Sequence, residues 1–121
     1  MKKTILFADD SPTIRKFATF ALSSKGFEII SVCDGMEALE KLPTGKIDLI
    51  ITDLNMPNID GFELIKTIRE NVDYTDIPII ILSSLESEEE IKRGISSGAN
   101  SYLVKPFDPK RMLYEVSKYL N

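Results

Sequence analysis

Two adjacent carboxylates, Asp9 and Asp10, stand directly after an apolar run in the segment ILFADDSPT (residues 5–13). At a separation of about 5 Å and an effective dielectric of about 20, their repulsion is on the order of 3 kcal/mol. A third carboxylate, Asp53, follows the run DLIIT (48–52), a hydroxyl, Ser83, follows PIIIL (78–82), and Lys105 follows SYLV (101–104). The chain has no histidine and one cysteine, so three converging carboxylates describe a site for a hard cation. Mg²⁺ (or Mn²⁺) takes oxygen ligands, keeps part of its water shell and commonly shares it with a phosphate. Such a cation offsets the repulsion and keeps the carboxylates ionised. Asp53 is then a candidate nucleophile toward phosphorus, with Lys105 neutralising one phosphoryl oxygen and Ser83 donating to another. These parts add up to phosphoryl transfer onto an aspartate.

The residues meet only if the runs before them are strands of one sheet. Five runs, at 5–8, 28–32, 48–52, 78–82 and 101–104, are mostly continuous rather than alternating, as in strands covered on both faces. Each is followed by enough chain for a helix and a return. The spacing predicts an α/β fold, a doubly wound, five-stranded parallel sheet with right-handed crossovers; the type expected is the flavodoxin-like (βα)5 fold, whose strand order is 2-1-3-4-5. Open sheets of this kind bind ligands outside the carboxyl ends of the strands, where the order reverses, here between strands one and three.

Helical spacing supports the intervening elements. Ile14, Phe17, Ala18, Ala21 and Leu22 share one face of the first helix, with Ser11 as N-cap and Pro12 at its first position. Leu39 and Leu42 mark the second, Leu64, Ile65 and Ile68 the third, and Met112, Leu113, Val116, Tyr119 and Leu120 the fifth. The fourth, from about residue 87, has Ile91 and Ile95 as main anchors, Gly94 inside and Gly98 at its end. An interior glycine costs about 1 kcal/mol relative to alanine. That marginal helix is a candidate moving part.

The 121 residues suit one domain, expected to span 1–121 with no output domain. With 15 basic and 19 acidic residues the net charge is −4, which argues against a nucleic-acid or acidic-membrane surface. The apolar run at 5–8 is too short for a secretory signal and nothing reaches membrane-spanning length. Cys33 alone excludes an internal disulfide, so a cytoplasmic location is expected. No extended apolar patch is legible, and a monomer is expected.

Each residue taken singly has a plainer reading. Asp9 and Asp10 could sit at a helix N-terminus, Asp53 could lead a turn through Pro57 and Gly61, and serine is common at strand ends. Asp34–Gly35 and Asp60–Gly61 read as turns without chemistry. Cys33 reads as a small packed residue rather than a redox centre. Tyr102 fits a core position, and the glutamate run a solvated helix face.

Five motifs, FADDSPTIRK, CDGMEAL, DLNMPNIDGFEL, ILSS and YLVKPF, occur in register along essentially the whole chain. On them the chain resembles the receiver domain of two-component response regulators, close to its single-domain chemotaxis members. The resemblance implies that Asp53 is the phosphorylated residue, Asp10 a direct Mg²⁺ ligand, Asp9 a ligand largely through water, and the Asn55 backbone carbonyl a further ligand. It implies Ser83 as the switch hydroxyl, Lys105 as the phosphoryl contact, a cis Lys105–Pro106 bond and Tyr102 as an aromatic switch. Asn55 and Leu85 would tune the lifetime of the phosphoaspartate. The donor would be a phosphohistidine on a histidine kinase or phosphotransfer protein acting in trans. The output would be a separate effector docking on the face of the fourth helix, fifth strand and fifth helix. Two departures stand out: serine replaces the commoner threonine at position 83, and ESEEE (86–90) occupies a segment that is lysine-rich in the chemotaxis regulator.

Three other classes compete. A phosphatase of the haloacid-dehalogenase kind needs Asp-x-Asp, and Ser11 stands where the second aspartate belongs. A flavin or nucleotide carrier needs a Ser/Thr/Gly-rich loop after strand one, and two aspartates there repel phosphate. A pseudo-receiver, binding partners without phosphorylation, conflicts with the presence of acid pair, acceptor, hydroxyl and lysine together.

Overall fold

The computed structural model describes residues 2–84 and 87–120. The elements run β1 (Thr4–Ala8), α1 (Pro12–Ser23), β2 (Glu28–Val32), α2 (Gly35–Lys41), a 3-10 turn (Leu42–Thr44), β3 (Leu49–Asp53), α3 (Gly61–Glu70), β4 (Ile79–Ser83), α4 (Glu88–Ser97), β5 (Ser101–Val104) and α5 (Pro109–Ser117). All pairings are parallel and the order is β2-β1-β3-β4-β5, the doubly wound arrangement expected.

Strand alternation divides the interior into two cores. Ile5, Phe7, Leu49, Ile51, Ile80, Leu82 and Leu103 face α1 and α5, where Ala18, Leu22, Met112 and Val116 meet them. Leu6, Ala8, Ile50, Ile79 and Ile81 face the other side, against Ala38, Leu64, Ile65 and Ile68 of α2 and α3. The central strands β3 and β4 are buried at every position. The continuous-burial expectation fails at β2 and β5, because an edge strand has a neighbour on one side only.

Local signals set the helix starts. Ser11 accepts from the Ile14 N–H at 3.3 Å, with Pro12 opening α1 as expected. Asp34, Asp60 and Asp108 likewise accept from the N–H groups of Glu37, Glu63 and Arg111. Asp34 and Asp60 are therefore N-caps, a structural role more specific than a turn.

Two packing expectations need correction. Phe17 is pushed to the rim of the α1 face, tilted against Phe107 with centroids 5.9 Å apart, because the small residues Ala18 and Ala21 take the close approach to the sheet. In α4 the buried residue is Gly94, with Ile91 half-buried and Ile95 exposed. The helix lies so close to β4 that a Cβ on Gly94 would come within 2.7 Å of Ile81 Cδ1. That closeness turns the isoleucines aside.

Candidate functional site

Register carries the candidate residues to one edge of the sheet. Ala8 pairs with Thr52, and Asp53 with Leu82, so Asp9 and Asp53 continue the same row. Leu82 pairs with Leu103, which puts Lys105 two positions beyond that row. A two-residue period returns its side chain to the same face. The Lys105 Nζ reaches back to lie 3.0 Å from Asp9 Oδ2 and 3.2 Å from Asp53 Oδ2.

The acid pair divides between two environments. Asp9 is fully buried: its Oδ1 accepts from the Ser11 N–H at 2.8 Å and its carbonyl from Arg15 at 2.7 Å. Asp10 is exposed. Asp9, Asp10 and Asp53 each bring one carboxylate oxygen into a group lying within 4.8 Å of one another. The opening repulsion is thus met in part by Lys105, which stands against Asp9 and leaves Asp10 facing solvent.

Asp53, 7% exposed, closes β3. Its Oδ1 accepts from the Leu54 N–H at 2.8 Å and the Asn55 N–H at 3.4 Å, and its Oδ2 from Lys105. Burial pushes its carboxyl above the ordinary range; Lys105 pulls the other way and Asp9 adds to the rise. Burial tends to lower the Lys105 ammonium, but the carboxylates of Asp9 and Asp53 outweigh it and hold the group above its usual value. The cluster is accordingly rich in negative charge, and among the described residues Lys105 alone is ion-paired with its carboxylates.

Two buried polar atoms lack a directed hydrogen bond among the described residues: Asp9 Oδ2, which has only its ion pair, and Ser83 Oγ. Such atoms are uncommon in folded interiors and point to a missing partner. An oxygen-only donor set beside the first fits a hard cation, and the unengaged hydroxyl fits an incoming acceptor oxygen. Ser83 is 4% exposed and closes β4 one row beyond Leu82, so strand alternation turns it toward the α3 side of the sheet.

Of the remaining candidates among the described residues, only Asn55 reaches the carboxylates, and through its backbone. Asn55 is exposed, with its N–H toward Asp53. Tyr102 is 44% exposed on β5, in the row of Thr52 and Ile81. The Lys105–Pro106 bond is cis. Leu85 and Glu86 lie outside the described residues. Cys33 is exposed rather than packed, because it falls in the loop after edge strand β2. Partial desolvation and the carboxylates of Glu37 and Asp34 push its thiol up.

Three supporting residues escaped sequence reasoning. Thr52 is buried beneath the acceptor and donates to the Asp53 carbonyl at 2.9 Å. Arg15 holds the Asp9 carbonyl; its place in the first turns of α1, after Ser11, was the available signal. Gly61 lets α3 start directly against Asp53, since a Cβ would collide with the Asp53 carbonyl, and its N–H donates to the Leu54 carbonyl at 3.0 Å.

Known proteins share this sequence pattern and fold. Residues 5–117 match the family described as the response regulator receiver domain. The chemotaxis protein CheY4 of Vibrio cholerae is 37% identical, with a TM-score of 0.93 over 99% of this chain and 100% of that one. The receiver domain of sensor histidine kinase PA1611 from Pseudomonas aeruginosa, solved with magnesium coordinated in its active-site cleft, is 25% identical, with a TM-score of 0.90 over 98% of each chain. The alkaline phosphatase synthesis transcriptional regulatory protein PhoP of Bacillus subtilis is 35% identical over 120 residues, 99% of this chain and 49% of that protein. The chain spans half or less of the curated relatives it matches. The family match over residues 5–117 and the shared fold show that the chain belongs to the response regulator receiver domain family of two-component systems.

Proposed function

We propose that this chain is a phosphoacceptor signalling module whose acceptor is Asp53. A partner histidine kinase or phosphotransfer protein brings a phosphohistidine in trans. An Asp53 carboxylate oxygen forms the new O–P bond as the N–P bond breaks, and the departing imidazole nitrogen keeps the electron pair. The observation that carries this reading is Asp53 itself: a buried carboxylate held by two backbone amides and Lys105, beside two further carboxylates.

Asp9, Asp10, Asp53 and the backbone carbonyl of Asn55 are the proposed ligands of Mg²⁺, with Mn²⁺ as a substitute. When bound, that cation supplies positive charge against the negative charge gathering on the phosphoryl oxygens. Lys105, already poised between Asp9 and Asp53, contacts one of those oxygens. Ser83 donates its free hydroxyl to another, and in turning toward it draws on the end of β4. Tyr102 and the α4–β5–α5 face carry the change to a separate effector. The chain acts as a cytoplasmic monomer whose one covalent activity is formation and loss of its own aspartyl phosphate.

Intact-mass spectrometry after exposure to acetyl phosphate and Mg²⁺ tests the proposal. A single phosphoryl adduct is expected, absent in Asp53→Asn and in EDTA. No adduct on the unaltered chain with Mg²⁺ bound would favour the pseudo-receiver.

A further inference from the structure

We infer that Asp34 and Asn58 form a clasp that positions the Asn55 carbonyl for a cation, by tying the tip of the loop after β3 to the start of α2. The inference deepens the proposed function, because it rests on the reading that this carbonyl is a ligand of the Mg²⁺ beside Asp53. Both are positioning residues, acting through the loop they hold.

Residues 54–60 join β3 to α3 without regular structure. At the base of the loop the Leu54 and Asn55 N–H groups donate to Asp53 Oδ1, and the Gly61 N–H donates to the Leu54 carbonyl at 3.0 Å. Leu54 and Met56 are buried in the core, whereas Asn55, Pro57 and Asn58 are exposed. Burial therefore fixes the height of the loop above the sheet, and its sideways place is left to hydrogen bonds. Two such bonds reach the turn between β2 and α2. Asn58 Nδ2 donates to Asp34 Oδ2 at 2.7 Å, and the Gly35 N–H donates to the Ile59 carbonyl at 3.2 Å. A Cβ on Gly35 would collide with that carbonyl, so the two loops lie in direct contact. Asn58 is the one non-glycine residue with positive φ among the described residues, at 65°. Asparagine tolerates that state better than most residues, and on an exposed loop the bond to Asp34 holds it there.

The other half of the clasp is set by its own helix. Asp34 Oδ1 caps α2 by accepting from the Glu37 N–H at 2.8 Å, and Glu37 Oε1 accepts from the Cys33 N–H at 2.8 Å. Capping thus accounts for one oxygen of Asp34, and Asn58 accounts for the other. The Glu37 N–H and then the Asn58 amide hold the carboxyl below its ordinary range. Asp34 is therefore an anion at neutral pH, and hydrogen bonds to an ionised acceptor are the stronger kind. Asn55 lies between the closed base of the loop and its clasped tip. A carbonyl held from both sides need not be ordered when a cation binds, which is the cost that preorganisation removes. The clasp joins positions 24 apart in the chain, so two segments that each read as a plain turn act as one device.

Exchanging the two side chains tests the clasp on the whole chain. Asp34→Asn keeps an equally good N-cap but turns one amide toward another. Asn58→Asp sets two carboxylates against each other. The double variant, Asp34→Asn with Asn58→Asp, restores an amide–carboxylate bond and the original net charge. In metal-free buffer, amide hydrogen exchange by NMR at Asn55 and Gly61 is expected to quicken about fivefold in each single variant and to return within about twofold in the double. A Mg²⁺ titration followed in the same spectra should show the dissociation constant raised about fivefold in each single variant and recovered in the double. An effect of charge alone moves the two single variants in opposite directions, and that outcome overturns the inference. Unchanged exchange and affinity overturn it, as does a double variant no better than the worse single. Faster exchange with unchanged Mg²⁺ affinity overturns it too, for the clasp would then hold the loop and nothing more. Should a single variant fail to fold by circular dichroism, Asn58→Gly, which accepts the positive φ and adds no charge, must show the same fivefold changes, and unchanged values there overturn the inference. Failure of the proposed function is read separately. No adduct on the unaltered chain after acetyl phosphate and Mg²⁺ counts against Asp53 as acceptor, whereas exchange in metal-free buffer tests the clasp alone.

Discussion

Adjacent in the chain, Asp9 and Asp10 differ in every property that matters to chemistry. Asp9 is buried, its carboxylate held by the Ser11 N–H and Lys105 and its backbone carbonyl by Arg15, so it is fixed in place. Asp10 faces solvent and is free to take a ligand. Asp53 is buried beside Asp9, and an ionised carboxylate so placed carries a desolvation cost that Lys105 offsets only in part before a metal ion arrives. Asp53→Asn, which keeps the shape and removes the charge, is therefore expected to raise the melting temperature by a few degrees in metal-free buffer while abolishing the adduct. A lower melting temperature would mean that the pairing with Lys105 outweighs the desolvation. Ser83→Ala separates function from stability in another way. Its hydroxyl has no hydrogen-bond partner among the described residues, so thermal stability should change by less than about 0.5 kcal/mol, while labelling by acetyl phosphate slows by at least about tenfold.

Among the elements, α5 and β5 are clasped by a buried ion. Glu115 on α5 accepts from Ser101 Oγ at 2.6 Å and from Lys118 at 3.0 Å, with Arg111 at 4.0 Å. Burial pushes its carboxyl up, but those three partners outweigh it and leave the group below its ordinary value. A carboxyl lowered on folding stabilises the fold above its unfolded value and loses that contribution as pH falls through the folded one. Glu115→Gln is thus expected to cost about 1 kcal/mol at pH 7, with the difference vanishing below the carboxylate range. Denaturant titrations at both ends of that range check the sign; a cost that persists in acid would assign the role to shape. The elements themselves were largely legible in the sequence, because apolar runs, caps and prolines act locally. The reading of α4 went wrong because an isoleucine looks like an anchor on paper, whereas the surface it meets, at Ile81, belongs to a strand elsewhere in the chain.

For the molecule as a whole, the sheet separates two cores, with the buried carboxylates of the site and Lys105 on one side and Ser83 on the other. Asp9, Asp53 and Lys105 continue rows that face α1 and α5. Tyr102 shares a row with Ile81, on which α4 sits. On the proposed function, the acceptor and the face that would bind an effector meet through the strands, one residue apart in register. A ligand that binds only the folded chain raises its stability with concentration. Millimolar Mg²⁺ is accordingly expected to raise the unfolding midpoint of the unaltered chain and to leave that of Asp10→Asn nearly unchanged. Calorimetry checks this, and an equal shift in both would place the cation away from the acid cluster.

From the sequence alone came the chemical parts and the end of the sheet to which they belong, because each of Asp9, Asp53, Ser83 and Lys105 follows an apolar run whose strand character is local. The five runs gave a parallel sheet; its order β2-β1-β3-β4-β5 matches that of the flavodoxin-like type expected, not anything the spacing itself fixes. What the sequence could not contain was distance between residues far apart in the chain. Lys105 stands against Asp53 across 52 positions, and Arg69 clasps Gly98 across 29. Burial separated Asp9 from Asp10, register turned Tyr102 toward the α4 side, and close packing set Gly94 against Ile81. Side-chain burial, register and close approach are properties of neighbours brought together by folding, and only the tertiary structure decides them.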